Sequence, residues 1–318
     1  MSNAVRITML GPRGCGKTTL LAALDFVAHQ QHKVGGYGIE SQVGSADLRD
    51  LGKIFRRTFQ SGRFHAESTN KVIQHQLHLT VTPQGERPWE AQIAGLDSPG
   101  EWTTGPEREE DRATLIEELQ KSTGIVLCLP QDLPDNREGQ AKRAAFSSQL
   151  SALMDNTIAA MDGRKLPWGF VAIALTKLDT RFYHYQAQAW ERVLEASTLQ
   201  SLETHLRSEG MVEHVISEIR GKCALPVRFA AGFCSIYGFL RRNGRVNYDP
   251  TNEQLLLRVS DRVGDQYESL VPFYYVQEQW RPFQILEPFL FAARGCLPEE
   301  RRKKSELAPT FLEVFAKR

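Results

Sequence analysis

The sequence predicts an α/β fold: a mostly parallel sheet with helices on both faces and an antiparallel edge. Three observations carry this expectation. An apolar, β-prone run, Val5–Leu10, is followed by a glycine-rich loop and then by the helical stretch Leu20–Ala28. Two short continuous apolar runs, Gly124–Leu129 and Phe170–Leu175, have the composition of strands buried on both faces, and a long stretch of helical periodicity separates them. Ile73, His75, Leu77, Leu79 and Val81 alternate with Val72, Gln74, Gln76, His78 and Thr80 as in a strand with one apolar face, and a turn at Pro83-Gln84-Gly85 leads to a second strand over Trp89–Leu96, so a β-hairpin forms the antiparallel edge.

Composition bounds the remaining possibilities. With 318 residues and 41% hydrophobic content, the chain can bury a full core as one large domain or two small ones. A formal net charge of +1 gives no electrostatic basis for binding nucleic acid or an anionic membrane. The cysteines, Cys15, Cys128, Cys223, Cys234 and Cys296, are scattered and odd in number, and none forms a Cys-x-x-Cys pair. That pattern suggests neither a disulfide framework nor a zinc site. The first strand starts almost at the N-terminus, which leaves no room for a signal peptide, and the apolar run Phe289–Ala293 is too short to span a bilayer. The expectation is a soluble cytoplasmic protein without a membrane segment.

The first element pair encloses the strongest motif. Gly11-Pro12-Arg13-Gly14-Cys15-Gly16-Lys17-Thr18 matches the phosphate-binding P-loop pattern in its required strand–loop–helix setting. Gly11, Gly14 and Gly16 let the backbone wrap closely around a pyrophosphate. The loop amides, including that of Cys15, and the positive end of the following helix face the anion. Lys17 would bridge β- and γ-phosphates, the Thr18 hydroxyl would ligate Mg²⁺, and Thr19 completes the set.

The glycines of Val34–Gly38 mark a turn, and a helix is expected over residues 46–60, where Leu48, Leu51, Ile54, Phe55 and Phe59 recur at helical spacing before Gly62. An exposed loop, Phe64–Asn70, precedes the hairpin. The hairpin delivers a second motif, Leu96-Asp97-Ser98-Pro99-Gly100-Glu101. Asp97 at a strand end suits the Mg²⁺ shell, and Gly100 can offer its amide to a γ-phosphate. By itself the pattern also describes an acidic β-turn.

A helix opening with Glu107, Glu109, Glu110 and Asp111 follows, its acidic first turn suited to the helix dipole. After the strand at Gly124–Leu129 comes a long helix, with Phe146, Leu150, Leu153, Met154, Ile158 and Met161 on its core face and Gly163 at its end. The strand Phe170–Leu175 then runs into the third motif, Thr176-Lys177-Leu178-Asp179. A carboxylate at the carboxyl edge of an open sheet stands where ligands bind. Accepting two hydrogen bonds, Asp179 would select guanine, which offers N1–H and an exocyclic amine, over adenine, which offers no such pair. The Lys177 stem could cover the base. Two or three helices are expected over Tyr183–Arg220, then a strand Pro226–Ala231, with Ala231 and Gly232 as backbone contacts to the guanine oxygen. Residues 236–275 carry little pattern, a closing helix is expected over Trp280–Arg294, and Arg301–Lys304 reads as a solvated helix start or flexible tail.

In order and spacing, these motifs resemble the Ras-like P-loop GTPases of the TRAFAC class from Val5 to about Ser235. More narrowly, the helix before the first switch, the Asp-Ser-Pro-Gly-Glu form and the Trp280-Arg281-Pro282-Phe283 segment resemble bacterial double-GTPase proteins of conflict systems. The resemblance implies a six-stranded sheet and a GTPase domain over residues 1–235 with a helical insertion near 46–62, followed by an extension over 236–318 that packs on the same domain. It implies GTP or GDP with Mg²⁺ as ligands, and a protein effector or second GTPase subunit as partner. Lys17 and Thr18 would serve phosphate and Mg²⁺, Asp97 the Mg²⁺ shell, Gly100 the γ-phosphate and Asp179 the guanine. Thr69, with Ser68 as the alternative, would be the switch residue that reaches Mg²⁺ in the triphosphate state.

Two positions depart from the Ras-like pattern. Glu101 stands where small GTPases place a water-orienting Gln, so either hydrolysis is slow or another group holds the water. Arg13 replaces a common Gly; it stabilises transition-state charge in cis, stays exposed at the surface, or blocks a partner's arginine finger. The expected function is a GTP-hydrolysing, Mg²⁺-dependent switch. The alternatives are a scaffold that binds guanine nucleotide with little turnover and, third, a P-loop ATPase or kinase.

Overall fold

Val5–Leu10 forms β1, the strand next to which the rest of the sheet is assembled. The structure is a computed structural model that describes residues 5–12, 14–31, 33–34, 37–44, 73–83, 87–97, 109–131, 137–208, 211–240, 245–249, 254–255, 280–295 and 312–315. β1 pairs in parallel with β5 (Trp89–Asp97) on one side and β6 (Gly124–Pro130) on the other. β7 (Phe170–Thr176) and β8 (Arg228–Phe233) continue the parallel run beyond β6. On the β5 side, β4 (Ile73–Pro83), β3 (Tyr37–Val43) and β2 (Lys33–Val34) follow antiparallel, and β13 (Leu312–Val314) adds antiparallel to β8 at the opposite edge.

The mixed α/β class and the hairpin agree with the sequence reading; the strand number does not. Among the described residues the sheet has nine strands, where six were expected. β2 and β3 extend the hairpin from a stretch read as a turn, and β13 comes from the far end of the chain. Tyr37, Ile39, Ser41 and Val43 alternate with Gly38, Glu40 and Gln42, and Ile39 is buried while Glu40 and Gln42 are exposed. That period of two belongs to a strand.

Helices cover both faces. On one side, α1 (Lys17–Gln31) and α8 (Glu287–Arg294) pack over Ile7, Met9, Val126, Cys128, Ala172, Ala174 and Ala230. The small residues of β7 and β8 make room for Phe289 and Phe291 of α8, and Gly124 lies so close to Ala292 that a Cβ there would overlap its carbonyl group. On the other side, α2 (Glu109–Lys121) and α3 (Arg137–Ala159) cover the larger Ile125, Leu127, Val171, Ile173 and Leu175. Phe146, Leu150, Leu153 and Met154 of α3 are buried there as expected. Gly163, at φ 79°, ends the segment with its N–H on the Ile158 carbonyl.

The region after β7 is helical as expected: α4 (Leu178–Phe182), a 3₁₀ stretch Tyr183–Gln188, α5 (Ala189–Ala196), α6 (Leu199–Ser208) and α7 (Met211–Lys222). Three boundaries differ from the sequence reading. β8 begins and ends two residues later than the expected Pro226–Ala231. β9 (Ser235–Leu240), β10 (Tyr248–Asp249) and β11 (Gln254–Leu255) lie in the stretch that carried little pattern. The expected closing helix divides: Trp280–Phe283 is strand β12, antiparallel to β9, and α8 starts only at Glu287. Pro282, which lacks an N–H, is tolerated in a short two-stranded sheet, and Pro288 stands in the first turn of α8 where the missing donor costs nothing. Gly295, left-handed at φ 64°, caps that helix through its N–H on the Phe291 carbonyl. Among the described residues, no helix is long and apolar enough to cross a membrane. The expected helix over 46–60 lies outside the described residues.

Candidate nucleotide site

The parallel strands β8, β7, β6 and β1 end side by side, and the sequence motifs fall at this carboxyl edge, the ligand-binding edge of open α/β sheets. The first motif bridges β1 and α1. Gly14 and Gly16 take positive φ of 70° and 89°, conformations that side chains resist, and so turn the loop. Gly11 is required for a different reason. A Cβ there would lie 2.5 Å from the Cys128 carbonyl oxygen and 2.6 Å from Cys15 Sγ. The loop is therefore pressed onto β6, with Cys15 and Cys128 fully buried beneath it.

Lys17 is the first residue of α1 and is only 3% exposed. Its ammonium donates to the carbonyl oxygens of Gly11 at 2.9 Å and Pro12 at 3.2 Å, which holds the cation inside the curve of the loop. Thr18 and Thr19 follow in the first helical turn, half-buried. The hydrogen bond between Cys128 and Cys15, together with complete burial, pushes the Cys128 thiol well above its usual range. Burial does the same to Cys234, aided by nearby Glu287, and raises Cys223 to about 12. The described cysteines, Cys15, Cys128, Cys223 and Cys234, are all buried, and none of them is in a disulfide.

The third motif is tied directly to the first. Thr176 closes β7, is buried, and donates its hydroxyl to the Cys15 carbonyl oxygen at 2.6 Å. Lys177 is left-handed, at φ 58° and ψ 35°, and turns the chain from β7 into α4. Asp179 is the second residue of that helix, immediately beyond the sheet edge. The second motif begins at the same edge. Met9 of β1 is in register with Gly95 of β5, so Asp97 and Gly11 each stand two residues beyond that pair.

Ala231 and Gly232 lie within β8, in register with Ile173 and Ala174 of β7. The two-residue shift of the strand puts Cys234 and Ser235 at its carboxyl end, where the Cys234 N–H donates to the Leu175 carbonyl at 2.7 Å. Arg13, Ser68, Thr69, Gly100 and Glu101 lie outside the described residues. Two residues passed over in the sequence also stand at this edge: Cys128 beneath the loop, and Gln131, whose N–H donates to the Thr176 carbonyl at 2.9 Å. Nothing in their local sequence marks them; only strand register brings them here. Among the described residues, no group of three or more His, Cys, Asp or Glu is placed to hold a metal ion. What the edge offers is a glycine loop at a helix N-terminus, a buried cation and hydroxyls, a donor set suited to phosphate and to a hydrated hard cation.

Solved structures with some likeness to the chain include the signal recognition particle receptor SRb-GTP/SRX complex from Chaetomium thermophilum, at 13% identity and a TM-score of 0.38, covering 75% of this chain and 93% of that one. The S. cerevisiae Ski7 GTPase-like domain, bound to GTP, is similar at 15% identity and a TM-score of 0.34, covering 86% of this chain and 49% of that one. No curated protein sequence matches the chain. The family model for Double-GTPase 2 matches residues 5–222, a span that holds the phosphate loop, the Asp97 motif and the Thr176–Asp179 motif. The chain belongs to the Double-GTPase 2 family.

Proposed function

We propose that this chain is a Mg²⁺-dependent guanine-nucleotide switch that binds and hydrolyses GTP. The observation that carries the reading is the Thr176–Cys15 hydrogen bond, which joins the base motif to the phosphate loop at one sheet edge. Membership of the Double-GTPase 2 family supports it.

In this reading the loop amides and Lys17 neutralise the β- and γ-phosphates, and Asp179 accepts from the guanine N1–H and amine. Ala231 and Gly232 remain candidates for backbone recognition of the guanine oxygen. Thr18, Thr69 and Asp97 would hold Mg²⁺, which supplies charge neutralisation across the phosphates. Gly100 would offer an amide to the γ-phosphate. Arg13 and Glu101 would act on the hydrolytic step, Arg13 by stabilising charge and Glu101 by accepting a hydrogen bond from water. The chain works in the cytoplasm with an effector or second GTPase subunit, in the setting of bacterial conflict systems. Residues 1–235 form the GTPase domain, and 236–318 an extension that packs on it.

An affinity panel of GTP, GDP and ATP with and without Mg²⁺ tests this reading. Tight Mg²⁺-dependent GTP binding with weak ATP binding is expected; equal affinities would remove the guanine assignment. Glu101 favours a second reading, a scaffold with little turnover, because a carboxylate brings negative charge towards phosphate. Single-turnover phosphate release decides between the two: release well above the uncatalysed rate selects the switch.

A further inference from the structure

We propose that Gln131 is a positioning residue for base recognition, one that registers the helix carrying Asp179 against the phosphate loop and thereby sets the preference for guanine. This rests on the guanine reading of Asp179 given above.

Gln131 directly follows β6 and is bonded through both its backbone and its side chain. Its N–H donates to the carbonyl of Thr176, the residue whose hydroxyl holds the Cys15 carbonyl. Its side-chain Oε1 accepts from Arg181 Nη1 at 2.7 Å and, with His205 in the tautomer protonated at Nε2, from His205 Nε2 at 2.8 Å. Arg181 lies two residues after Asp179 on α4, and His205 lies on α6. One carboxamide oxygen, with two lone pairs, thus gathers a donor from each of two helices, while its own backbone is fixed to the phosphate-loop support.

The helix α4 needs such an anchor. It has five residues, it starts from a left-handed Lys177, and that N-cap residue makes no side-chain capping hydrogen bond. A helix of this length does not repay its own nucleation cost, so its orientation is set by what it packs against. Phe182 provides apolar packing, buried and edge-on to Phe233 at a centroid distance of 6.1 Å. The Gln131–Arg181 bond fixes the rotation of α4 about that contact. Asp179 must present its carboxylate to two donors of one base edge, so a small rotation costs base recognition. The phosphate contacts lie on the other side of the Thr176–Cys15 bond and are spared.

The test compares unmutated protein, Gln131→Leu and Gln131→Glu for binding of GTP, ATP and tripolyphosphate, each with Mg²⁺. Gln131→Leu is expected to weaken GTP binding by roughly ten-fold or more, the scale of one hydrogen bond to a charged donor. Tripolyphosphate and ATP binding should stay within a factor of about two of the unmutated value, since the phosphate donors are untouched. Gln131→Glu keeps the acceptor and should restore GTP binding. Unchanged GTP-over-ATP preference in Gln131→Leu overturns the proposal. So does equal loss for all three ligands, which would mark a general role in folding. Equal GTP and ATP binding by the unmutated protein removes the guanine reading itself, and this proposal with it.

Discussion

The hydroxyl of Thr176 donates to the carbonyl oxygen of Cys15 across 161 positions of sequence, at 2.6 Å and out of contact with solvent. A buried hydroxyl and a buried carbonyl satisfy each other, and in doing so set the Thr176–Asp179 motif at a fixed distance from the glycine loop. Thr176→Val leaves the carbonyl without its partner and should destabilise the protein by about 1–3 kcal/mol. Thr176→Ser, which keeps the hydroxyl, should recover most of that. Denaturant unfolding of both variants, alongside GTP affinity, checks this; equal stability of Val and Ser variants would contradict it.

Gly11 and Gly14 should respond differently to alanine. At Gly11 the new methyl meets the Cys128 carbonyl and Cys15 Sγ, and backbone atoms cannot yield cheaply. Overpacking of this kind costs about 1–3 kcal/mol, and phosphate binding should be lost with the loop shape. At Gly14, among the described residues and apart from its chain neighbours, no atom lies within 4 Å of the added methyl, so the cost reduces to the positive φ, about 1–2 kcal/mol. Thermal unfolding and tripolyphosphate binding separate the two cases.

Gly124 supports the layer beneath the site rather than the site itself. Its replacement by alanine would drive a methyl into the Ala292 carbonyl and push α8 from β6. A loss of about 1–3 kcal/mol or more is expected in denaturant unfolding. Gly169→Ala, where among the described residues no atom beyond its chain neighbours lies within 4 Å of the added methyl, serves as the near-neutral control.

The tail strand should undock in acid. Arg228 donates twice to Glu313, at 2.9 and 2.8 Å, and holds that carboxyl below the usual glutamate range of about 4.5. The folded value is the depressed one, so the contribution is fully present above the unfolded pKa and disappears as pH falls through the folded pKa. Both side chains are partly exposed, which limits the pair to about 1 kcal/mol or less. Hydrogen exchange at Leu312–Val314 should accelerate as pH falls below the usual glutamate range, beyond the intrinsic pH trend. Glu313→Gln should show the faster exchange at neutral pH and lose the acid dependence.

Lys17→Ala should abolish nucleotide binding, and Asp179→Asn should weaken GTP selectively while ATP binding is unchanged. Binding titrations of both variants check this pair. A Lys17→Ala protein that still binds GTP tightly would contradict the assigned role of the loop.

Legibility along the chain followed the range of the forces involved. The strand β1, its glycine loop and α1 are local, and so were readable: apolar run, glycines, then helical spacing. The two apolar strands β6 and β7 were equally plain, because burial on both faces leaves no polar positions. β3 carried a usable alternation from Tyr37 to Val43 that neighbouring glycines obscured. The helix expected from Trp280 failed at its start because Ile285, Leu286, Phe289 and Leu290 keep helical spacing while Pro282 and Pro288 hold the true boundary information. β13 had no local signal at all: three residues become a strand only because β8 offers an open edge and Arg228 a partner for Glu313.

Residue chemistry and spacing alone were enough to place the glycine loop between β1 and α1, Asp97 and Thr176 at strand ends, and the chain in the α/β class, since each depends on neighbours within a few positions. The nine-strand order, the seat of Cys128 under Gly11, the packing of α8 on Gly124 and the meeting of Gln131 with Arg181 and His205 were decided by the folded sheet. Each of those depends on strand register and side-chain volume at positions far apart in the chain, and a local pattern holds no record of either.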